Sequence, residues 1–198
     1  MLRLLIAIPF LMLALLTPPP ASTAPIPKNQ MTPAPYYPTK VGTKLVYDRK
    51  GAEETYVVTE VEKVADWALV TTEQVETAGL IPYQRVVVSP KGLFLISEGG
   101  AEYDPAWCTL RLPHNPGAMW ETTSTRRDGL VTVRERRTAK KEEMVKTPAG
   151  EFLAVVVESE NLSRDGLNES TDTRWYAPEL GLVRLNDELV LKSYTLGK

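Results

Sequence analysis

The sequence has very few residues of the types that build metal centres and covalent cross-links. Among its 198 residues there is one cysteine, Cys108, and one histidine, His114. An internal disulfide needs two cysteines, and zinc clusters of thiolate or imidazole ligands need several such residues in one chain. Catalytic sites that use two histidines are excluded for the same reason. We therefore predict no metal site and no cofactor.

The sequence also lacks an excess of charge of either sign. It contains 23 lysines and arginines against 25 aspartates and glutamates, which gives a formal net charge of -2. Without a large positive field the chain has no general attraction for a polyanion, so we predict that nucleic acid is not a partner. The apolar share of 43% and the charged share of 24% are ordinary for a folded globular domain.

Residues 1–24 have the three-part layout of a secretory signal peptide. One positive charge at Arg3 precedes a largely apolar run over 4–16, and proline and small residues follow up to Ala24. The run is shorter than the roughly 20 residues that span a bilayer as a helix. We predict cleavage after Ala24 and a secreted or periplasmic protein with no stable transmembrane span. Because Pro25 is a poor neighbour for cleavage, an uncleaved signal that anchors the chain is the alternative.

Residues 25–40 form a proline-rich leader in this interpretation. Nine of the sixteen prolines lie in residues 1–38, and the leader has no hydrophobic period of either kind. Such a segment is typical of an extended spacer, and a motif for a proline-binding module is the alternative. Residues 41–198 are then long enough to bury a core and are predicted to form a single domain.

From Val41 onward the pattern favours strands. Apolar residues alternate with polar ones, β-branched residues are dense, and turn residues punctuate the chain at short intervals. The clearest hairpin joins 83–88 to 93–97 through the turn at 89–92, where proline presets the turn and glycine permits a positive φ. We predict an all-β, mainly antiparallel domain, because the connections are too short for crossover helices. We expect a strongly curved meander or half-barrel of about ten strands, with little helix beyond the signal peptide. Whether the sheet closes is left open.

Three phrases of turn and strand residues carry a resemblance to a known family. They lie at 36–47, 145–152 and 175–183 and read YYPTKVGTKLVY, VKTPAGEF and WYAPELGLV. Together they resemble a family of secreted bacterial β-rich domains of unknown function. The resemblance implies, at the level of the fold, the curved antiparallel sheet of periplasmic lipoprotein carriers of the LolA type. Leu45 departs from the pattern, since members of the family often carry an aromatic residue there. None of the phrases contains a catalytic group.

Cys108 and His114 suggest one enzymatic hypothesis. A thiolate beside an imidazole base is a known nucleophilic pair, and these two residues are six positions apart. Such a pair also needs a shaped oxyanion site, and closeness in sequence does not make two side chains face each other. A half-buried cysteine beside a loop histidine explains the same residues. We therefore predict a protein that is not an enzyme, with a Cys/His hydrolase as a remote alternative.

Three aromatic residues are candidates for binding a ligand. Tyr103, Trp107 and Trp120 lie around 99–117, which we expect to be the least regular part of the domain. Connecting loops carry function more often than regular elements do. The alternative is that these large side chains fill the core, and for Trp120 we favour that alternative.

Arg134 and Arg136 are candidates for a partner surface. They lie in the densest basic stretch, and on a strand they share one face. Such a face could contact an anionic component of the cell envelope. A solvated hairpin whose charges protect an exposed sheet edge is the alternative.

Taken together, these features predict an exported, non-enzymatic β domain that binds an apolar ligand or a partner in the cell envelope. The main alternative is a structural or assembly module that associates through its sheet edges.

Overall fold

The protein is described here by a computed structural model of residues 34–162 and 170–198. The predicted signal peptide and residues 25–33 of the leader lie outside this range. The described chain consists of strands and turns: β1 (Lys44–Arg49), β2 (Ala52–Val64), β3 (Trp67–Glu76), β4 (Gly79–Ser89), β5 (Gly92–Glu98), β6 (Ala101–Arg111), β7 (Met119–Arg126), β8 (Thr132–Ala139), β9 (Glu143–Thr147), β10 (Gly150–Asn161), β11 (Thr171–Ala177), β12 (Gly181–Leu185) and β13 (Leu189–Thr195). No helix of the described chain is long and apolar enough to cross a membrane.

The strands form one antiparallel sheet that closes on itself. Consecutive strands pair from β1 to β8, β8 pairs with β10, and β10 pairs with β11. The chain then continues through β12 to β13, which pairs with β1 and completes a ring of twelve strands. The predicted all-β, antiparallel fold is confirmed, with thirteen strands where about ten are expected from the sequence.

The strand β9 lies beside the ring as the partner of β10. Ala139 at the end of β8 faces Val157, and Glu143 at the start of β9 faces Ala154, so β8 and β9 follow the same edge of β10. The hairpin formed by β9 and the start of β10 therefore extends beyond the ring. Its inner side is apolar, with Val145 buried against the core.

The hairpin predicted between β4 and β5 is present, and its glycine has a steric reason. Ser89 pairs with Gly92, so Pro90 and Lys91 form a two-residue loop. Gly92 has a φ of +133°, and a Cβ at this position would lie 1.9 Å from the carbonyl oxygen of Leu110. Only glycine permits that approach of β6 to the turn.

The expectation of an irregular stretch over 99–117 is wrong for most of its length, because β6 occupies Ala101–Arg111. The strand is hidden in the sequence by Pro105, which lacks the N–H that a ladder uses. It also pairs with β7 through only two residues, Tyr103 and Asp104. Beyond them β6 and β7 diverge, and regular alternation of buried residues is lost.

Side chains replace the missing ladder between β6 and β7. Ser124 Oγ donates to the carbonyl of Pro105 at 2.5 Å, and Trp120 Nε1 donates to the carbonyl of Cys108 at 3.3 Å. Buried carbonyls need such partners, since an unpaired one costs free energy comparable to a lost hydrogen bond. The Trp120 indole thus lies in the wall of the sheet, where β6 and β7 separate.

Two clusters of buried residues fill the interior. The first core cluster comprises Val58, Ala68, Val70, Val86, Val88, Leu93, Leu95, Trp107, Leu110, Trp120, Ala139, Val155, Val157 and Tyr176. The second core cluster comprises Leu45, Tyr47, Tyr56, Val145, Ala154, Ala177, Leu180, Val183, Leu189 and Leu191. Each of the three phrases that carry the family resemblance contributes to the second core cluster.

Residues 34–40, which end the predicted leader, lie against the β domain. The backbone N–H of Glu179 donates to the carbonyl of Pro35 at 2.6 Å. The ring of Tyr37 packs over Gly181, where a Cβ would lie 3.3 Å from its Cδ2. The first and third phrases of the resemblance therefore contact each other.

Candidate functional site

A cavity of about 260 Å³ lies inside the closed sheet and is partly open to solvent. Its wall is formed by side chains of β1–β6 and β11–β13 together with Tyr37, so it lies among the inward-facing residues of both core clusters. Eight aliphatic residues line it: Leu45, Val86, Leu93, Leu95, Leu180, Leu182, Leu185 and Leu189. Six aromatic residues complete most of the wall: Tyr37, Tyr47, Tyr56, Tyr83, Trp107 and Tyr176. The cavity is therefore mainly apolar.

Tyrosine rings pack in a row along one side of the cavity. The centroids of Tyr47 and Tyr56 are 5.7 Å apart in an edge-to-face arrangement, and those of Tyr56 and Tyr83 are 4.0 Å apart. Tyr47 donates its hydroxyl proton to the carbonyl of Leu182 at 2.7 Å, and Tyr56 donates to Glu54 Oε2 at 2.6 Å. Because these hydroxyls are engaged by the protein, the rings offer the cavity mainly their carbon surface.

Burial keeps these phenols neutral. It raises the pKa of Tyr37 and of Tyr56 to about 12, and it raises the pKa of Tyr47 and Tyr83 as well. The charged form of a phenol loses its hydration in a closed interior, so the proton is retained well above pH 10. The tyrosine wall thus carries no charge near neutral pH.

Three charged side chains border the cavity, and two of them have carboxylate partners. Arg49 Nε lies 2.7 Å from Glu54 Oε1, and Arg174 Nη2 lies 2.9 Å from Asp172 Oδ2. The third is Glu98, which accepts a hydrogen bond from the neutral Gln84 Nε2 at 2.9 Å. No lysine, arginine or histidine among the described residues lies within 4.0 Å of its carboxylate oxygens.

A buried ion pair lies beside the cavity. Arg137 is 0% exposed, and its Nε and Nη2 donate to Glu135 Oε2 at 2.9 and 2.6 Å. Its Nη1 donates to the carbonyl of Thr109, and its guanidinium lies over the Trp107 ring, 5.3 Å from the centroid. All three guanidinium nitrogens of Arg137 thus have hydrogen-bond acceptors within the protein, and the group also lies over an aromatic ring.

Three buried polar atoms next to this pair have no hydrogen-bond partner among the described residues. They are Trp107 Nε1, Ser159 Oγ and Asp172 Oδ1. Ser159 faces Arg137 on one neighbouring strand and Asp172 on the other. The three atoms include a donor, an acceptor and a hydroxyl that can serve as either.

Two of the aromatic candidates lie together. The ring centroids of Tyr103 and Trp107 are 5.8 Å apart. Trp107 is 9% exposed and lines the cavity, whereas Tyr103 is partly buried against the first core cluster and is not part of the cavity wall. A ligand contact by either residue stays a prediction.

The third candidate, Trp120, is buried in the first core cluster with 7% exposure. It faces Arg137 across the pair of β7 and β8. It does not line the cavity and borders a separate depression of about 370 Å³ with Phe94 and Cys108. A role in ligand binding stays a prediction for Trp120 too.

Cys108 and His114 have different partners. The Cys108 Sγ lies 3.7 Å from the carbonyl of Leu110, and burial raises the pKa of its thiol. His114 Nε2 lies 3.2 Å from Glu142 Oε1, and its ring contacts that of Tyr36. A raised thiol pKa is the opposite of what an activated nucleophile needs.

The partner-surface candidates lie on the outer face of the sheet among acidic residues. Arg136 Nη2 is 2.9 Å from Glu121 and its Nη1 is 3.2 Å from Glu160, while Arg134 Nη2 is 3.5 Å from Glu121. These carboxylates already balance part of the positive charge. Binding of an envelope partner here stays a prediction.

Residues 34–162 and 170–198 contain no cluster of three or more His, Cys, Asp or Glu residues that could hold a metal ion.

Sequence reasoning missed the residues that shape the cavity and the ion pair beside it. Alternation places Tyr47 with Leu45 and Tyr56 with Val58, and it separates Arg137 from Arg136. That signal was available, but a period of two tells only which residues share a face. It does not tell which face becomes the interior.

Comparison with known proteins supports the family resemblance. Residues 115–195, from within the β6–β7 connection to the end of β13, match the model of a family described as DUF3108-like. The chain resembles a β-rich family of unknown function, as its sequence predicts. No curated protein matches it.

Two solved structures share the fold. A structure described as that of a lipoprotein from Parabacteroides distasonis has a TM-score of 0.51 and 19% identity, and the alignment covers 83% of this chain and 100% of that one. An exported protein with a YmcC-like fold from Bacteroides fragilis has a TM-score of 0.56 and 17% identity, covering 82% and 99% of the two chains. At these identities the likeness shows the fold alone.

Proposed function

We propose that this protein is an exported, non-enzymatic β domain that holds a small, mainly apolar ligand inside its closed sheet. The observation that carries the proposal is the cavity of about 260 Å³ between the two core clusters. Protein interiors are close-packed and rarely leave a void larger than a water molecule. A hollow of this size, lined by leucine and tyrosine side chains, is close to the lower end of small-molecule sites.

The volume limits the ligand. At roughly 30 Å³ for each water-sized group, about eight or nine such groups fill the cavity. A six-carbon alkyl chain with a small head group has that size. Burying its chain contributes about 5 kcal/mol, at roughly 0.8 kcal/mol for each CH₂. Association itself costs at least about 4 kcal/mol, so we expect such a ligand to bind weakly.

Export is supported by two observations. Residues 1–24 have the layout of a signal peptide, and the two proteins that share the fold are described as a lipoprotein and an exported protein. Together these support the secreted or periplasmic location that we propose. The finer likeness to lipoprotein carriers of the LolA type stays part of this proposal.

The alternatives have less support. Association through sheet edges needs free edges, and each of the twelve strands of the ring is paired on both sides. In the described part of the chain, β9 alone has one neighbour. A Cys/His hydrolase needs the two side chains to act together, and Cys108 and His114 contact different residues.

The test is a titration of the ¹⁵N-labelled mature protein with 1-hexanol, followed by amide chemical shifts. We expect saturable shifts at residues around the cavity. Leu95→Trp fills the cavity from an inward position that is 3% exposed, and it should abolish the shifts. Ile96→Trp adds the same ring at the neighbouring half-buried position, which is outside the cavity wall, and should leave binding unchanged. Both variants are first checked for a cooperative thermal melt. Absence of saturable shifts in the folded wild type would remove the proposal.

A further inference from the structure

The charges that border the cavity do not balance. Arg49 and Arg174 each have a carboxylate partner, at 2.7 and 2.9 Å. Glu98 has only the uncharged amide of Gln84, at 2.9 Å. Of the ionised side chains in the wall, Glu98 is therefore the one that has no opposite charge within ion-pair distance among the described residues.

The aromatic wall near Glu98 has the electrostatic character that suits a cation. Burial is the main cause of the raised pKa of Tyr37 and Tyr83, and the negative charge of Glu98 adds to it in both. Glu98, Tyr37 and Tyr83 line the same cavity. The face of an aromatic ring carries partial negative charge and attracts ammonium groups within about 6 Å of its centre. The stacked rings of Tyr56 and Tyr83 extend this surface.

An anionic ligand fits the same wall poorly. It would add a second negative charge near Glu98, and the guanidinium of Arg174 that could receive it is already paired with Asp172. A neutral alcohol avoids this repulsion and leaves Glu98 without a counter-charge.

We propose that the ligand of this cavity is a small amphipathic amine, whose ammonium group pairs with the Glu98 carboxylate beside the tyrosine rings and whose apolar body of about six carbons lies among the leucines. This rests on the proposed function, because it specifies the chemistry of a ligand in the same cavity. Desolvation of the ammonium is offset by the carboxylate and the ring faces together, since neither alone replaces its hydration.

The test compares three probes with the same chain: hexylamine, 1-hexanol and hexanoate at pH 7. For the wild type we expect hexylamine to bind at least tenfold more tightly than hexanol, and hexanoate to bind more weakly than hexanol. Glu98→Gln removes the charge and keeps the shape, so it should bring the affinity for hexylamine to within threefold of the affinity for hexanol. The matched control is Glu102→Gln, because Glu102 pairs with Arg85 and Arg127 and is outside the cavity wall.

A second variant tests the aromatic contribution. Tyr83→Leu keeps an apolar wall and removes the ring face, so it should weaken hexylamine binding several-fold more than hexanol binding. The inference would be overturned if the wild type bound hexylamine and hexanol equally tightly, or if hexanoate bound most tightly. In either case, saturable binding of hexanol would still support the proposed function. Saturable binding of none of the three probes to folded protein would instead remove the proposed function, and the inference with it.

Discussion

Two regions of the interior differ in how completely the protein itself fills them and pairs their polar groups. Around Arg137, the guanidinium donates to Glu135 and Thr109 and lies over Trp107, so the protein itself supplies the partners of a fully buried charge. Around the tyrosine row of the second core cluster, the walls enclose a hollow. The region around Arg137 thus holds the sheet together. The second region leaves volume that side chains do not fill.

Breaking the ion pair of the first region should have the largest effect on stability. Arg137→Met removes the guanidinium and leaves the Glu135 carboxylate buried without a partner. We expect a loss of about 3–5 kcal/mol in the free energy of unfolding, out of the roughly 5–15 kcal/mol of a typical domain. Urea unfolding followed by circular dichroism measures it.

The control replaces both partners. Arg137→Met combined with Glu135→Leu leaves no unpaired charge and should recover much of the loss. A single Arg137→Met variant that loses less than about 1 kcal/mol would show that the pair does not hold this region.

Trp120→Ala tests the packing of the same region. Trp120 is 7% exposed and its indole N–H bonds to the Cys108 carbonyl across the gap between β6 and β7. We expect a loss of about 3–5 kcal/mol, because the change leaves a large void and an unpaired carbonyl. A melting temperature within about 2 °C of the wild type would contradict the core role.

High pH should act on the hollow region first. The pKa of Tyr37 and of Tyr56 is raised to about 12 from an ordinary value near 10. In that range the unfolded chain loses phenol protons that the folded chain keeps, so stability is complete below pH 10 and falls as pH rises towards 12. We expect the melting temperature to fall by several degrees over this interval, while the tyrosinate absorbance at 295 nm rises. Tyr37→Phe and Tyr56→Phe should each reduce the fall, and an unchanged slope in both variants would count against these assignments.

We expect the smallest effect on stability from a substitution of Arg136, the residue next to Arg137. Arg136 lies on the outer face, where it pairs with Glu121 and Glu160 in contact with water. Exposed ion pairs contribute little, so Arg136→Ala should move the melting temperature by no more than about 2 °C. A shift as large as that of Arg137→Met would mean that the two faces of β8 are not distinct.

The sequence predicts the class of fold well and the candidate site poorly. Alternation and turn residues predict antiparallel strands and place the hairpin at Ser89–Gly92, because both signals are local. Closure of the ring depends on pairs such as Lys44 with Thr195, which are distant in sequence. No local pattern encodes such a pair.

The cavity could not be predicted for a related reason. Tyr37, Tyr83 and Tyr176 come from distant parts of the chain, and whether they fill the interior or surround a hollow depends on volumes summed around the ring. Alternation places Arg137 on the opposite face of its strand from Arg134 and Arg136, but it does not tell which face is inside. Because Arg137 lies in a basic stretch, the sequence favoured a position on the surface for it.

The most direct test of the central claim is a crystal of the mature protein pressurised with xenon. Xenon enters apolar cavities that are dry and large enough. We predict a xenon site inside the closed sheet, against the leucine side chains of the cavity wall. A structure in which side chains fill this space and no xenon binds within the ring would contradict the claim that the domain holds a ligand there.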